Sequence, residues 1–300
     1  MNPDSHPSPQ IATIPRQTGV RVDSTTDRLR AAVIQVILLI WMLIVVFPFL
    51  WLLYTSFKTD RQIFFSPWLL PHTWHVENYV RAWVGAHIGE FFLNSVVVVA
   101  FSLFFTLLLS SMTAYVLARY DFPGRQFLSY GFIAGMTFPV FLALVPLFFL
   151  VRTIGLIDSL PGLVVVYVAY SLPFSVFFLT GFFRSLPSEL AEAAIIDGAS
   201  QQQVFWRVML PLAQPGLVTI GIFNFLGQWN QYILPLVLIQ NSAKYVLTQG
   251  LAYMAIQQYY TNDWSGLFAA LVIVMVPTTL VYAVFQGRLA RGITVGALKG

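Results

Sequence analysis

The stretch EAAIIDGASQQQVFWRVMLP, from Glu192 to Pro211, interrupts a chain of 300 residues that is 58% hydrophobic and only 9% charged. With Arg184 and Glu189 just before it, the segment 184–213 carries five charged side chains. Burying five charges at mid-bilayer would cost on the order of 12–17 kcal/mol. The segment is therefore predicted to be a loop outside the membrane.

Six apolar runs surround this loop and predict six transmembrane helices. Each run reaches the roughly 20 residues that a helix needs to cross the hydrocarbon. The 16 Lys and Arg residues and the 12 Asp and Glu residues all fall outside the runs. The runs cover residues 32–53, 92–118, 128–150, 162–183, 214–238 and 266–286. Together with a mean hydropathy of +0.75, they predict an all-α integral membrane protein.

The distribution of Lys and Arg predicts the orientation, because cytoplasmic loops carry an excess of both. One side of the six spans collects eleven of these residues and the other side five. This bias places both termini and the 184–213 loop in the cytoplasm. The net charge of +4 thus reflects the excess of Lys and Arg in the segments predicted to be cytoplasmic, and it does not indicate nucleic-acid binding. The Pro-, Ser- and Thr-rich residues 1–27 predict a disordered cytoplasmic tail ahead of a transmembrane domain over 28–300.

Local signals inside the loop predict two helices joined by a turn. Ser188 is placed to cap the first helix, and Gly198 to end it in the left-handed conformation. Ser200 and Gln203 form the pattern of a capping box for the second helix, which Leu210–Pro211 closes. Small alanines beside the turn would allow a partner protein to approach closely. An amphipathic loop packed on its own helix bundle is the alternative.

The full spacing of this stretch resembles the cytoplasmic signature of bacterial ATP-binding-cassette (ABC) importer permeases, with Val208 where the family has Ile. FLGQWNQYILPL (Phe225–Leu236) resembles the Trp-Asn segment of carbohydrate importer permeases. RGITVGALKG (Arg291–Gly300) resembles the C-terminal tail of maltose-permease-like subunits. The resemblance covers about residues 30–300. It implies a type I ABC importer permease fold with a core at about 88–287 and a tail at 288–300.

The resemblance also implies a function and a set of partners. The chain would be a non-enzymatic permease subunit of a binding-protein-dependent importer in a bacterial cytoplasmic membrane. It would assemble with a second permease, an ABC ATPase dimer that binds ATP and magnesium, and an extracytoplasmic sugar-binding protein. Gly296 and Lys299 of the tail would contact the ATPases, unless the tail is only a basic juxtamembrane segment. The implied ATPase-coupling residues are Glu192, Ala193, Ala194, Asp197, Gly198, Leu210 and Pro211.

Polar side chains in the fifth span are candidates for a substrate path. Asn224, Gln228 and Gln231 are spaced at i, i+4 and i+7, which predicts one shared helical face. Such amides either hydrogen-bond to neighbouring helices or line a wet path. A path of neutral amides and aromatic rings suits an uncharged solute such as a sugar. The full set of candidates is Asn224, Gln228, Trp229, Asn230, Gln231 and Tyr232.

Other chemistries find little support in the sequence. There is no phosphate-binding Gly-x-x-x-x-Gly-Lys-Ser/Thr loop and no cysteine. His72 and His75 have the spacing of a metal site but lack a third ligand. A proton- or sodium-coupled secondary transporter is the alternative function, although such carriers usually keep an Asp, Glu or His within the membrane. The six runs contain none of these, which also disfavours an intramembrane enzyme.

Overall fold

The computed structural model describes residues 25–297, without the side chains of residues 25–27, 259 and 288–297, and contains no β-strand over that range. The helices of the first half are α1 (Thr25–Thr55), α2 (Asp60–Phe65), α3 (Glu77–Val80), α4 (Ile88–Arg119), α5 (Arg125–Thr137), α6 (Val140–Thr153) and α7 (Leu160–Ser185). Those of the second half are α8 (Glu189–Ile196), α9 (Gln201–Gln203), α10 (Leu210–Leu212), α11 (Gln214–Trp229), α12 (Ile233–Leu238), α13 (Leu247–Thr261) and α14 (Trp264–Ala297). Two π-helical turns, Arg81–Gly85 and Val204–Met209, follow α3 and α9.

The chain divides into two compact units, with the boundary between Trp51 and Leu52 inside α1. Of the first unit, the structure describes one helix, whose apolar side chains from residue 28 to residue 50 are all exposed. This exposure is what a helix surrounded by lipid or by other membrane-spanning helices requires. The helix begins at Thr25, so the last residues of the predicted 1–27 tail are helical, and residues 1–24 lie outside the described part.

The number of spans agrees with the sequence prediction, but two of the spans are bent. Within residues 25–297, four helices are long and apolar enough to cross a membrane: α1, α4, α7 and α14. Two bent pairs of helices bring the number to as many as six, if each pair counts as one span. The first pair is α5 with α6, and the second joins the helical segment Gln201–Leu212 to α11.

The span predicted over 128–150 is broken into two helices, because α5 and α6 meet at an angle of 105°. The break lies at Phe138, which is extended (φ −79°, ψ 118°) and is followed by Pro139. A proline disfavours the helical conformation in the residue before it, so α5 ends here.

The predicted fifth span, 214–238, is also divided, because α11 ends at Trp229 and α12 begins at Ile233. Pro235 has no N–H with which to reach the carbonyl of Gln231 four residues earlier. The hydroxyl of Thr248 donates to that carbonyl instead, at 2.6 Å. The break therefore leaves no unpaired carbonyl at Gln231.

The helices α4 and α7 form the most extensively packed pair. Their buried faces are rich in serine and threonine, whose small side chains let helix backbones approach closely. The hydroxyl of Ser175 donates to the carbonyl of Ser171 at 2.8 Å, and that of Thr180 to Val176 at 2.7 Å. Hydrogen bonds within α7 thus satisfy these two hydroxyls, which are buried.

Asp158 joins two loops that are far apart in the sequence. Its Oδ1 accepts hydrogen bonds from the backbone N–H groups of Gln240 (3.0 Å) and Asn241 (2.9 Å). The ammonium of Lys244 donates to its Oδ2 at 3.1 Å. The N–H of Asn241 first, and then those of Gln240 and the Lys244 ammonium, hold the pKa of the Asp158 carboxyl below its usual range. The φ of 53° at Asp158 is a conformation that Asp and Asn tolerate better than most residues.

We expect Asp158→Ala to lower the free energy of unfolding by about 1–2 kcal/mol, because two N–H groups lose a charged acceptor. Asp158→Asn should cost less, since the amide oxygen can still accept both bonds. The carboxylate's contribution is present above its unfolded pKa of about 3.9 and is lost as the pH falls through the lower folded value. Thermal unfolding of the purified protein between pH 3 and pH 7 measures both effects. An Asp158→Ala variant as stable as the wild type would contradict this role.

Candidate functional site

The 184–213 loop folds as two helical segments joined by a tight turn. The first is α8, and Ser188 before it is itself helical (φ −73°, ψ −29°) and makes no side-chain cap bond. The prediction that Ser188 caps this helix is therefore wrong. The short connection Leu186–Ser188 separates α7 from α8, with Leu186 extended at the end of α7.

The turn after α8 is closed by backbone hydrogen bonds that need a glycine. Gly198 has a φ of 84°, and its N–H donates to the carbonyl of Ile195 at 2.9 Å. The N–H of Ala199 donates to the carbonyl of Ala194 at 3.0 Å. These two bonds are the Schellman arrangement of a helix C-terminus. The predicted role of Gly198 in ending the helix is confirmed.

The second segment is anchored to the spans. Ser200 and Gln203 exchange both hydrogen bonds of the predicted capping box, which is confirmed. Phe205 and Met209 of the following π-helical turn are buried in a cluster with Tyr115 and Phe183. The rings of Tyr115 and Phe205 lie 5.1 Å apart. The segment ends at Leu212, next to Pro211, and α11 continues at an angle of 70°.

Arg119 at the end of α4 holds the entry to this loop in place. Its guanidinium donates to the carbonyls of Phe183 (2.9 Å) and Leu186 (2.7 Å). Tyr120 donates its hydroxyl hydrogen to the amide oxygen of Gln201 at 2.6 Å. The base of the loop is thus fixed on α4 and α7 by hydrogen bonds as well as by apolar packing.

In contrast to the second segment, α8 has no buried residue. Ala194 and two other alanines pack partly against the cluster beneath, while Glu192, Ala193, Asp197 and Gly198 are exposed. Three large apolar side chains are exposed as well: Leu190 (43%), Ile195 (45%) and Ile196 (85%). The alternative considered from the sequence was that the loop packs on the chain's own helix bundle. This holds for the second segment, but the outer face of α8 has no partner in the described structure.

A separate cavity of about 380 Å³ lies among α5, α7 and α11. Asn224 and Gln228 of α11 are part of its wall, and both are buried. Asn224 donates to the hydroxyl of Ser175 at 2.8 Å, and Gln228 to that of Ser171 at 3.0 Å. The sequence left two roles open for these amides, bonding to a neighbouring helix or lining a path. In the structure the amides do both, since they bond to α7 and line a cavity. The side-chain oxygen of Gln228 is buried without a hydrogen-bond partner in the described structure.

The remaining candidates of the fifth span have different surroundings. Gln231 lies after the end of α11, so the prediction that it shares a helical face with Asn224 is wrong, although it does line the cavity. Trp229 is buried against Phe225 and donates to the carbonyl of Val274 at 3.4 Å. Asn230 and Tyr232 are not among the residues that line the cavity.

Sequence reasoning missed the contribution of α7 to the cavity. Tyr167, Tyr170, Ser171 and Phe174 come from this helix, and Phe138 from the break after α5. The sequence does contain a pattern that indicates this contribution, since Ser171 and Ser175 repeat the i, i+4 spacing of Asn224 and Gln228 in a neighbouring span. Every residue that lines the cavity is electrically neutral.

The C-terminal segment continues the last span without a break. Helix α14 extends to Ala297, so the RGITVGALKG tail is helical as far as that residue, as a continuation of the last span. The preceding span has already formed helical turns, so extending the helix avoids the cost of nucleation. Gly296 lies in this helix, and Lys299 lies outside the described residues.

Residues 106–295 match the family described as "binding-protein-dependent transport system inner membrane component". The chain belongs to this family. It is therefore a membrane transport component of an ABC importer, located in the inner membrane and working with other ABC components, and it is not an enzyme. Membership also decides against the ion-coupled carrier that the sequence left as an alternative.

Several relatives resemble this permease over most of its length. It is 50% identical to the diacetylchitobiose uptake system permease protein NgcG of Streptomyces coelicolor, over 93% of this chain and 92% of the relative. It is 36% identical to the sulfoquinovosyl glycerol transport system permease protein SmoH of Agrobacterium fabrum (85% and 89% covered). It is 32% identical to the trehalose transport system permease protein SugB of Mycobacterium tuberculosis (84% and 92% covered).

A solved structure supports the fold. A chain of a bacterial ABC transporter involved in the import of alginate superimposes with a TM-score of 0.76. The match covers 88% of this permease and 98% of that chain, at 24% sequence identity. The permease therefore has the all-α fold of type I ABC importer permeases.

We expect Gly198→Val to destabilise the turn after α8 by about 1–2 kcal/mol, because a β-branched residue is strained at positive φ. A β-carbon at this position would meet no atom within 4 Å, so the penalty comes from the backbone alone. Gly198→Asn is the matched control, since Asn tolerates this conformation. Hydrogen exchange over residues 189–200 should speed up in the valine variant and change little in the asparagine variant. Equal exchange in both would mean that the turn does not need its glycine.

Proposed function

We propose that this permease is one of two membrane-spanning subunits of a carbohydrate importer. The observation that carries the proposal is the neutral cavity among α5, α7 and α11. Its amides and hydroxyls can exchange hydrogen bonds with sugar hydroxyls, and its aromatic rings can cover the apolar faces of a sugar. The names of three relatives, which refer to diacetylchitobiose, trehalose and sulfoquinovosyl glycerol transport, support the same class of solute.

The exposed face of α8 supports one of the proposed partners, and the others are those that the family resemblance implies. The outer face of α8 would dock on an ABC ATPase, with Glu192, Ala193, Asp197 and Gly198 at the contact. ATP and magnesium would bind to the ATPase dimer. A second, different permease would complete the path, and an extracytoplasmic sugar-binding protein would deliver the solute. The tail, with Gly296 and Lys299, would reach the ATPases.

Gln228 is proposed to bind the solute in the cavity. Its buried side-chain oxygen has no hydrogen-bond partner in the described structure, and a sugar hydroxyl would supply the missing donor. Its side-chain nitrogen is already bonded to Ser171, which fixes the orientation of the amide. A donor that enters the cavity would therefore meet an acceptor that is already positioned.

We expect Gln228→Leu to lower sugar uptake by the reconstituted importer about tenfold, the value of one hydrogen bond to a buried acceptor. Thr219→Val is the control, because Thr219 is buried on the same helix and does not line the cavity. Uptake of radiolabelled disaccharides, together with ATP hydrolysis in the same vesicles, measures the effect. Wild-type uptake by Gln228→Leu, or an equal loss in the control, would exclude this role.

The proposed orientation places both termini and α8 in the cytoplasm and the loop before α13 outside. The natural chain has no cysteine, so single cysteines report accessibility directly. Ser242 and Gln202 are both exposed and lie in loops that this orientation assigns to opposite sides. In intact cells, Ser242→Cys should react with a membrane-impermeant maleimide, and Gln202→Cys should react only after the cells are opened. Labelling of position 202 in intact cells would show that the true orientation is the opposite one.

A further inference from the structure

A second, larger cavity of about 790 Å³ lies between the α4–α5 connection and the end of α7. It shares no residue with the cavity that contains Gln228. Its walls are Asp121–Gln126 without Pro123, the α5 residues Ser129, Tyr130 and Ile133, and Arg184 of α7. We call this second cavity the arginine groove. The proposed import path makes no use of it.

Two guanidinium groups face the arginine groove, and they differ in their partners. Arg125 donates through Nε to the carbonyl of Leu117 at 3.0 Å and forms an ion pair with Asp121. Arg184 is exposed in the last turn of α7 and has no hydrogen bond or ion pair within the described structure. One positive charge is therefore neutralised by the protein, and the other is available to an anion.

The remaining walls are partly polar and partly apolar. Gln126, Ser129 and Tyr130, whose side chains carry amide and hydroxyl groups, line the same groove as the two arginines. Along the same helix, Phe127 (80%), Tyr130 (67%) and Ile133 (41%) are exposed. A ligand that fills the groove and continues along α5 would thus meet a positive charge and hydrogen-bond donors first, and then an apolar helix surface.

We propose that the arginine groove binds the headgroup of an anionic phospholipid of the cytoplasmic leaflet. The guanidinium of Arg184 would bind the phosphate through two parallel N–H groups, an arrangement that suits arginine better than lysine. The acyl chains would lie along the exposed apolar side of α5. Basic pockets between membrane helices on the cytoplasmic side are a recurrent form of such sites. The assignment to this leaflet rests on the orientation proposed above.

The experiment compares lipid binding by the assembled, purified importer and its variants, without sugar or ATP. Native mass spectrometry and thermal unfolding are recorded with added phosphatidylglycerol or phosphatidylcholine. Arg184→Gln should weaken the binding of phosphatidylglycerol about fivefold, the contribution of one basic residue near the membrane surface. Arg184→Lys should show an intermediate loss. The control is Arg152→Gln, which removes an exposed arginine at the other end of the spans.

Three results would overturn the proposal. The first is unchanged preference for phosphatidylglycerol in Arg184→Gln. The second is competition by millimolar inorganic phosphate, which would indicate a site for a free anion. The third is loss of ATPase subunits from Arg184→Gln with wild-type lipid binding, which would assign Arg184 to a protein contact. Because the lipid measurement needs no transport, its failure would leave the proposed import function untouched.

Discussion

Backbone N–H and C=O groups inside hydrocarbon must find hydrogen-bond partners within the protein, and this requirement shapes the permease around its cavity. Irregular backbone at membrane depth is tolerated where it is buried or faces a wet space. The chain breaks its helices at Phe138 and again near Gln231, and both residues line the same cavity. The carbonyl of Gln231 that Pro235 cannot satisfy is taken by Thr248. Residues at both proline-associated breaks therefore form part of the cavity wall.

The same requirement explains how the permease buries polar side chains without charges. Ser102 and Ser111 of α4, and Ser175 and Thr180 of α7, bond to their own helices, which leaves small, neutral contact surfaces. Asn224 and Gln228 then add hydrogen bonds between α11 and α7. The cavity is thus a continuation of the packing between these helices, and two hydrogen bonds join α11 to α7 at its wall.

The 184–213 loop has two segments with different surroundings. Its second segment is fixed to α4 and α7 through Phe205, Met209 and the hydrogen bond from Tyr120 to Gln201. Its first segment, α8, has an outer face that no part of the described chain covers. Because the Gly198 turn and the packing of Ala191 and Ala194 on the cluster beneath join the two segments, a displacement of α8 by a partner would be passed to the second segment and so to the ends of the spans.

The sequence by itself determined the features that depend on local energetics. Charge placement and length located the six spans, and the Gly198 turn and the Ser200 capping box followed from interactions among neighbouring residues. The cap predicted at Ser188 was wrong, because Ser188 has helical backbone angles and its side chain makes no cap hydrogen bond.

Only the tertiary structure decided which polar groups meet. The bonds of Asn224 and Gln228 to α7, and the clamp of Asp158 on the 240–244 loop, join residues far apart in the sequence. Such pairings depend on the register and angle between helices, which periodicity within one helix does not encode. The bends at Phe138 and Ala213 depend on both the sequence and the tertiary structure. Prolines in the sequence mark where the helices break, and packing against neighbouring helices sets the angles of 105° and 70°.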